Sequence, residues 1–252
     1  MKTIKRRIYF KKRYIIPIVI AILLSASVIF FQLTSIGYRM TVPYRNFTEL
    51  LNNVYVANDY SGDMNELISV LDQATIRVAD FWGNIESSPV IIICDNAKTL
   101  KKLGGDHDTV TVVFLKAYNY ISISSEYLNV DVVAHELTHA ELHTRLYDGK
   151  LRHNLVPTWF DEGVATQNDY RVKYNEEAWK EATNTGLDII DLSSIGTASE
   201  FYGGEITDRV YRYIVSRHEV KEWIERNGID GLIELIYSVN SGNDFYELYN
   251  SK

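Results

Sequence analysis

The longest apolar stretch of the chain lies near its start. No residue from Tyr14 to Tyr38 carries a charge, and about 20 apolar residues are enough to cross a bilayer as a helix. A cleaved signal peptide is the alternative, but its apolar core is shorter, roughly 7–15 residues, and a small-residue cleavage site follows it. Here bulky residues follow the only small cluster, residues 25–27. The pattern therefore favours an uncleaved transmembrane anchor over residues 14–38.

Shorter apolar and alternating stretches in the next hundred residues indicate strands. Residues 52–59 alternate as a half-buried strand does, and residues 88–94 form the continuous apolar run of a buried strand. Two further strands, 109–115 and 120–124, are close enough in sequence to pair antiparallel. Residues 39–52 show neither the alternation of a strand nor the spacing of a helix clearly, and they are expected to be a connection and the start of a helix.

Helical spacing dominates the rest of the chain. It predicts a helix over 61–83 with Ser61 as N-cap, and a short helix over 96–105 that glycines close. After residue 126 the pattern predicts helices alone. These are 126–147, 157–168, 175–185, 206–227, 229–238 and a short one at the C-terminus. Strands with an early helix, followed by helices only, are typical of an α+β fold.

Charge is distributed unevenly along the chain. Seven of the first 13 residues are basic and none is acidic, whereas the other 19 basic residues face 33 acidic ones. The positive-inside rule then leaves residues 1–13 in the cytoplasm and sends the body outside. We therefore expect a single-pass protein of the plasma (inner) membrane. Because phosphate binding needs a basic face, the acidic body argues against nucleic acid as a partner.

These patterns divide the chain into four parts. They are a cytoplasmic basic segment 1–13, an anchor 14–38, a connection 39–60 and a folded domain 61–252, whose first strand begins near residue 53. The single cysteine, Cys94, excludes an intramolecular disulfide. Its position inside an apolar run favours a core residue over a catalytic thiol.

The candidate chemistry lies in the predicted helix 126–147. His135 and His139 are four residues apart and share one helical face, so both imidazoles can reach one Zn²⁺ at about 2.0–2.1 Å. Glu136 points beside that face, which suits a base that acts on water better than a ligand. The apolar positions, among them Val133 and Leu137, lie on the opposite face and are expected to pack on the body.

A catalytic zinc also needs a third protein ligand. Glu162 lies 23 residues after His139 on the next predicted helix, and an antiparallel return would bring its carboxylate over the first helix. Asp161 and His143 are rival ligands, although His143 is one turn further along and is more easily read as a neighbour of the site. His107 and His153 have no ligand spacing.

Two segments resemble zinc peptidases of the gluzincin clan. "HELTHA" at 135–140 is the string of thermolysin-like enzymes, and "WFDEGVA" at 159–165 is similar to the W-x-x-E-G-x-A segment of peptidase MA-like proteins. The resemblance implies a zincin-like domain with one Zn²⁺ held by His135, His139 and Glu162. It also implies that Glu136 is the general base for zinc-activated water that hydrolyses peptide bonds.

The chain departs from the family pattern at two places. The aspartate that orients a histidine ligand is replaced by Thr166, which leaves Asp161 and Asp169 as candidates for that role. The family's oxyanion-stabilising tyrosine or histidine has Tyr213 and His218 as its best counterparts here.

The predicted function is a membrane-anchored zinc metallopeptidase that acts on a peptide or protein outside the cytoplasm. The predicted strand 109–115 is the one expected to receive an extended substrate. The alternative is a membrane-tethered envelope binding or assembly module with a peptidase-like fold and little or no turnover.

Overall fold

The structure, a computed structural model, describes residues 15–105, 109–113, 119–146 and 155–251. Its strands are β1 Phe47–Leu51, β2 Val54–Ala57, β3 Val90–Cys94, β4 Thr109–Val113 and β5 Asn119–Ser124. Its helices are α1 Ile15–Leu33, α2 Ser35–Met40, α3 Met64–Trp82, α4 Ala97–Lys102, α5 Val130–Arg145, α6 Thr158–Ala165, α7 Glu176–Ala182, α8 Ala198–Tyr202, α9 Ile206–Asn240 and α10 Phe245–Asn250. Strands with few helices, followed by helices alone, confirm the predicted α+β class.

The strands form one small mixed sheet in the order β1-β2-β3-β5-β4. β2, β3 and β5 run parallel, while β1 and β4 pair antiparallel with their neighbours. The predicted antiparallel pairing of 109–115 with 120–124 is confirmed for β4 and β5, and residues 114–115 lie outside the described part. Among the described strands, β4 lies at one edge of the sheet. The expectation of a connection over 39–52 is wrong for residues 47–51, because they pair with β2 as β1.

Successive residues of the central strands face opposite sides of the sheet, as the pleat requires. Ile91 and Ile93 belong to the main core with α3 and α5. Ile92 and Cys94 belong to a smaller core on the other face, together with Val42 and Leu100. Both faces are therefore covered, which explains the unbroken apolar run of β3. Cys94 is fully buried, as predicted, and burial raises the pKa of its thiol to about 12.

Helix boundaries follow capping side chains more than apolar spacing. The N-cap of α3 is Asp63, not Ser61, because its Oδ1 accepts bonds from the amides of Asn65 and Glu66. Likewise α5 begins after its N-cap Asn129, whose Oδ1 accepts a hydrogen bond from the amide of Val132. Residues 126–129 therefore lie before the helix. The predicted end of α3 at Gly83 is confirmed by the left-handed backbone of that residue (φ 77°).

The C-terminal half is helical, as predicted. α6 lies between α5 and the long α9, and Gly228 (φ 72°, ψ 174°) interrupts α9 at the predicted break between 206–227 and 229–238. Helix α8 had no counterpart among the predicted helices.

α1 has the length and hydropathy of a membrane-crossing helix, and its residues are not buried in the domain. The same properties fit a signal sequence near the N-terminus. The uncharged run ends in a second helix, since Thr34 caps α2 by accepting a bond from the amide of Gly37 at 3.0 Å.

Candidate metal centre

Helix α5 is the central element of the site. Its apolar residues, including Val133, Leu137 and Ala140, pack into the main core as predicted. The opposite face does not open widely to solvent but faces α6, so His135, Glu136 and His139 are also buried, with exposed fractions of 6%, 6% and 8%.

Helix α6 brings the third predicted residue to this face. It begins at Thr158, directly after Pro157 in the sequence, and packs against both α5 and α9. The approach to α9 is close at Gly163, where a Cβ atom would lie 2.6 Å from the carbonyl oxygen of Ser216. The glycine after Glu162 therefore allows α6 to pack closely against α9.

The structure brings His135, His139 and Glu162 together. The two histidine Nε2 atoms are 3.1 Å apart. Glu162 Oε2 is 3.3 Å from each of them. These atoms form a nearly equilateral triangle, and Glu162 is only 3% exposed.

This triangle has the dimensions of a zinc site. Ligand atoms at about 2.1 Å from a tetrahedral metal lie about 3.4 Å from one another. Glu162 Oε2 is buried without a hydrogen-bond partner among the described residues, which is costly unless a cation or proton satisfies it. The donor set, two imidazoles and one carboxylate, is also that of catalytic rather than structural zinc. The residues therefore fit the metal.

The charges in the cluster depend on one another. Burial by itself raises the pKa of Glu162, but His139 and His135 outweigh it and lower that pKa to about 2. Burial lowers the pKa of His139, and the carboxylates of Glu162 and Asp161 raise it well above its usual value. The carboxylate of Glu162 thus stays ionised, and the proton on His139 is the positive charge that a metal ion would displace.

The carboxylate of Asp161 contacts two histidines of α5. Its Oδ1 is 2.8 Å from His139 Nδ1, and its Oδ2 is 2.7 Å from His143 Nε2. A carboxylate only accepts, so both histidine nitrogens donate. The bond to Asp161 thus fixes a proton on His139 Nδ1, so that Nε2 is the nitrogen that gives up its proton and supplies the lone pair when a metal binds. Burial raises the pKa of Asp161, but His143 and His139 lower it far below its usual range.

This arrangement gives Asp161 the carboxylate role that the sequence left open. Asp161 and His143 could also form a donor group with His139. The Asp161 carboxylate is, however, already hydrogen-bonded to both histidines, and we call these three residues the His139–Asp161–His143 triad. We therefore read both as supports of His139. His107 and His153, which lacked ligand spacing, lie outside the described residues.

The other candidate carboxylate, Asp169, has a different main partner. It is fully buried and accepts two bonds from Arg171 Nε, at 2.8 and 3.0 Å. Its Oδ2 is 3.7 Å from His135 Nδ1, too far for a hydrogen bond. Thr166, at the family's aspartate position, donates to the carbonyl oxygen of Glu162 instead.

Glu136 is positioned by the sheet edge. Thr109 Oγ1, at the first residue of β4, donates to Glu136 Oε1 at 2.6 Å. This contact joins the candidate base to the edge strand. It could not be seen in the sequence, because 27 residues separate the two side chains.

Sequence reasoning missed Tyr202, at the end of α8. Its hydroxyl donates to Glu162 Oε1, the carboxylate oxygen outside the ligand triangle. Burial, and next the charge of Glu162, raise the pKa of Tyr202 well above its usual value, so the phenol keeps its proton. No local pattern pointed to it, since the contact spans 40 residues.

Tyr213 and His218, the two candidates for stabilising the oxyanion, lie apart from each other. The Tyr213 ring is 6.2 Å from the His135 ring, next to the cluster. The His218 ring stacks on Trp179 at 3.6 Å, and its Nδ1 is 3.4 Å from Glu176 Oε2. Of the two, Tyr213 is the one in ring contact with His135 of the candidate cluster.

No protein-family model matches the chain, and no curated protein matches it in sequence. The function therefore has to be argued from the geometry of the site.

Proposed function

We propose that this chain is a membrane-anchored zinc metallopeptidase of the gluzincin type, with a zincin-like domain. The observation that carries the proposal is the triangle of His135, His139 and Glu162, with edges of 3.1–3.3 Å and Glu136 next to it on α5. A structural zinc site has no need of the extra carboxylate, whereas hydrolysis needs a base beside the metal.

The chemistry divides between the metal and the chain. Zinc, when bound, lowers the pKa of water toward about 7 and polarises the carbonyl of the peptide bond. Glu136 accepts a proton from the attacking water as the oxygen adds to the carbonyl carbon. The same carboxyl then gives that proton to the amine as the carbon–nitrogen bond breaks. Asp161 holds the tautomer of His139, and Tyr202 holds the outer oxygen of Glu162.

The edge of the sheet supports a peptide as the substrate. β4 has one neighbour, β5, within the described sheet, so an extended chain could pair with its free side. The hydroxyl of Thr109, on β4, touches Glu136. A substrate paired with β4 would therefore lie beside the base.

The location follows from α1 and the basic N-terminal segment. We propose that α1 spans the plasma (inner) membrane once, with residues 1–13 in the cytoplasm and the domain outside. The apolar, unburied surface of α1 supports a span.

The decisive experiment combines metal analysis with a cleavage assay on the full chain in detergent. We expect one zinc per chain and cleavage of an unfolded protein that chelation abolishes and added zinc restores. Glu136→Gln should keep the zinc and lose cleavage, because the ligands remain and the base does not. Glu162→Ala should lose zinc. Wild-type cleavage by Glu136→Gln would refute the role of the base, and full zinc occupancy in Glu162→Ala would refute the ligand set.

The second candidate is the envelope binding or assembly module with little or no turnover. The observation that favours it is His135 Nδ1, which is buried without a hydrogen-bond partner among the described residues. A ligand histidine in an active enzyme is usually oriented through that atom. Zinc binding at one per chain, with no cleavage of unfolded protein by wild type, would support the module.

A further inference from the structure

A short cationic region lies where α1 meets the domain. α2 folds back onto the last turn of α1 so closely that a Cβ on Gly37 would lie 2.4 Å from the carbonyl oxygen of Phe30. Arg45 ties the two together, since its Nη2 donates to the carbonyl oxygen of Phe31 at 2.5 Å and its Nε to Thr41 at 2.7 Å. The domain is therefore joined to the end of α1 by packed side chains.

The same contacts bring α4 to this end of α1. The guanidinium carbon of Arg45 lies 3.9 Å from the centre of the Tyr38 ring. Lys102 Nζ lies 5.8 Å from the centre of the same ring. One tyrosine thus joins a cation that caps α1 to a lysine of α4. Tyrosine is the residue type that membrane proteins place at the headgroup level.

The cations of this region form no ion pair with a carboxylate among the described residues. We call Arg45, Lys98, Lys101 and Lys102 the basic platform. In the described ranges none of the four forms an ion pair with a carboxylate. The three lysines are exposed and Arg45 is half-buried. Among the described residues these four cations therefore form a basic region in a body where acidic residues outnumber basic ones.

We propose that the basic platform binds the headgroups of anionic phospholipids in the leaflet where α1 ends. The headgroup layer is about 5–8 Å thick on each side of the bilayer, which matches the reach of side chains held against the last turn of α1. Anionic headgroups supply the negative charge that the platform lacks. The inference rests on α1 spanning a membrane, as proposed above, and is independent of peptide hydrolysis.

The platform also orients the candidate metal centre. Leu100 of α4 packs in the smaller core on one face of the sheet, while Val133 of α5 packs in the main core on the other. Headgroups bound to α4 therefore keep α5 on the side of the sheet away from them.

The test is to measure the distance of α4 from the headgroups in the full chain. Ala97→Cys places a fluorophore on the exposed start of α4. Cys94 does not compete for the label, since it is fully buried and its thiol pKa is raised to about 12. The labelled protein is reconstituted into vesicles of phosphatidylcholine, with or without phosphatidylglycerol, that carry a lipid with a spin-labelled headgroup as quencher.

We expect stronger quenching in the vesicles that contain phosphatidylglycerol, and loss of the difference at high salt. Lys101→Gln with Lys102→Gln should remove the difference, because each lysine near an anionic surface favours the docked state about fivefold. The matched control, Lys173→Gln with Lys180→Gln, removes two exposed lysines outside the platform and should behave as wild type.

Equal quenching in the two kinds of vesicle would overturn the proposal, as would a platform variant that quenches like the control. A carbonate wash separates this outcome from failure of the anchor. If carbonate releases the chain from vesicles, α1 does not span the bilayer and the inference falls with the anchor. Zinc binding, measured on the same protein, reports on the metal centre independently.

Discussion

Asp161→Asn tests whether the His139–Asp161–His143 triad supports zinc binding at the candidate metal centre. The change keeps the shape of the side chain but replaces a charged acceptor with a neutral amide. In the wild type the carboxylate accepts bonds from His139 Nδ1 at 2.8 Å and from His143 Nε2 at 2.7 Å. The amide can accept one of these bonds and must present its NH₂ group to the other histidine, or turn away.

The magnitude follows from the burial of this pair. The His139 and Asp161 side chains are only 11% and 20% exposed, so water screens their bond poorly. A hydrogen bond to a charged group contributes about 1.5–3 kcal/mol, and part of it survives in the amide. Loss of such a partner typically weakens metal binding 10- to 100-fold, which corresponds to about 1.4–2.7 kcal/mol.

The assay is a competition between the full chain and a fluorescent zinc chelator at neutral pH. Asp230→Asn, which changes an exposed aspartate of α9, is the matched control and should bind zinc as wild type does. Circular dichroism checks that both variants are folded. If Asp161→Asn binds zinc within twofold of wild type, Asp161 does not orient His139 and the proposed triad is wrong.

Three further predictions concern the neighbours of the cluster. Tyr202→Phe removes the hydroxyl that holds Glu162 Oε1 and should weaken zinc binding several-fold, by about 1 kcal/mol; an unchanged zinc Kd would contradict the role of Tyr202. Thr109→Val removes the donor to Glu136 and should lower kcat with zinc binding unchanged, while Thr109→Ser restores it; equal activity in all three proteins would show that the contact is not used. The pKa of His139 is raised in the metal-free protein, so a proton must leave before zinc binds. The affinity for zinc should therefore rise with pH up to that pKa and level off above it. A zinc affinity that does not change from pH 6 upward would refute the coupling between proton release and zinc binding.

Much of the architecture could be predicted from local pattern. The apolar run that contains α1, the strands β2 to β5 within the described ranges, and the helices of the C-terminal half other than α8 lie where periodicity predicted them. These features depend on residues close in sequence, because burial of one face imposes a period of 2 or 3.6 on the chain. The spacing of His135, Glu136 and His139 is local in the same sense. Glu162 could be nominated because only one helix follows closely.

Features that depend on distant partners could not be predicted. β1 is a strand because β2 offers it a pairing edge, although its own sequence does not alternate clearly. The N-cap of helix α3 is Asp63 rather than Ser61 because capping depends on which side chain reaches the free amides. Both differences arise where several local choices have similar energies and tertiary contacts select among them.

The sequence by itself determined which residues are candidates for binding a metal, and the tertiary structure decided which side chains contact them. Asp161 and Asp169 are the same residue type, but among the described residues Asp161 is hydrogen-bonded to His139 of the candidate cluster, while Asp169 is hydrogen-bonded to Arg171. Tyr202 reaches Glu162 across 40 residues. Local spacing is set by helix geometry and can be read directly. Roles around the site depend on how separate helices pack, and that packing becomes defined only when the whole core is buried.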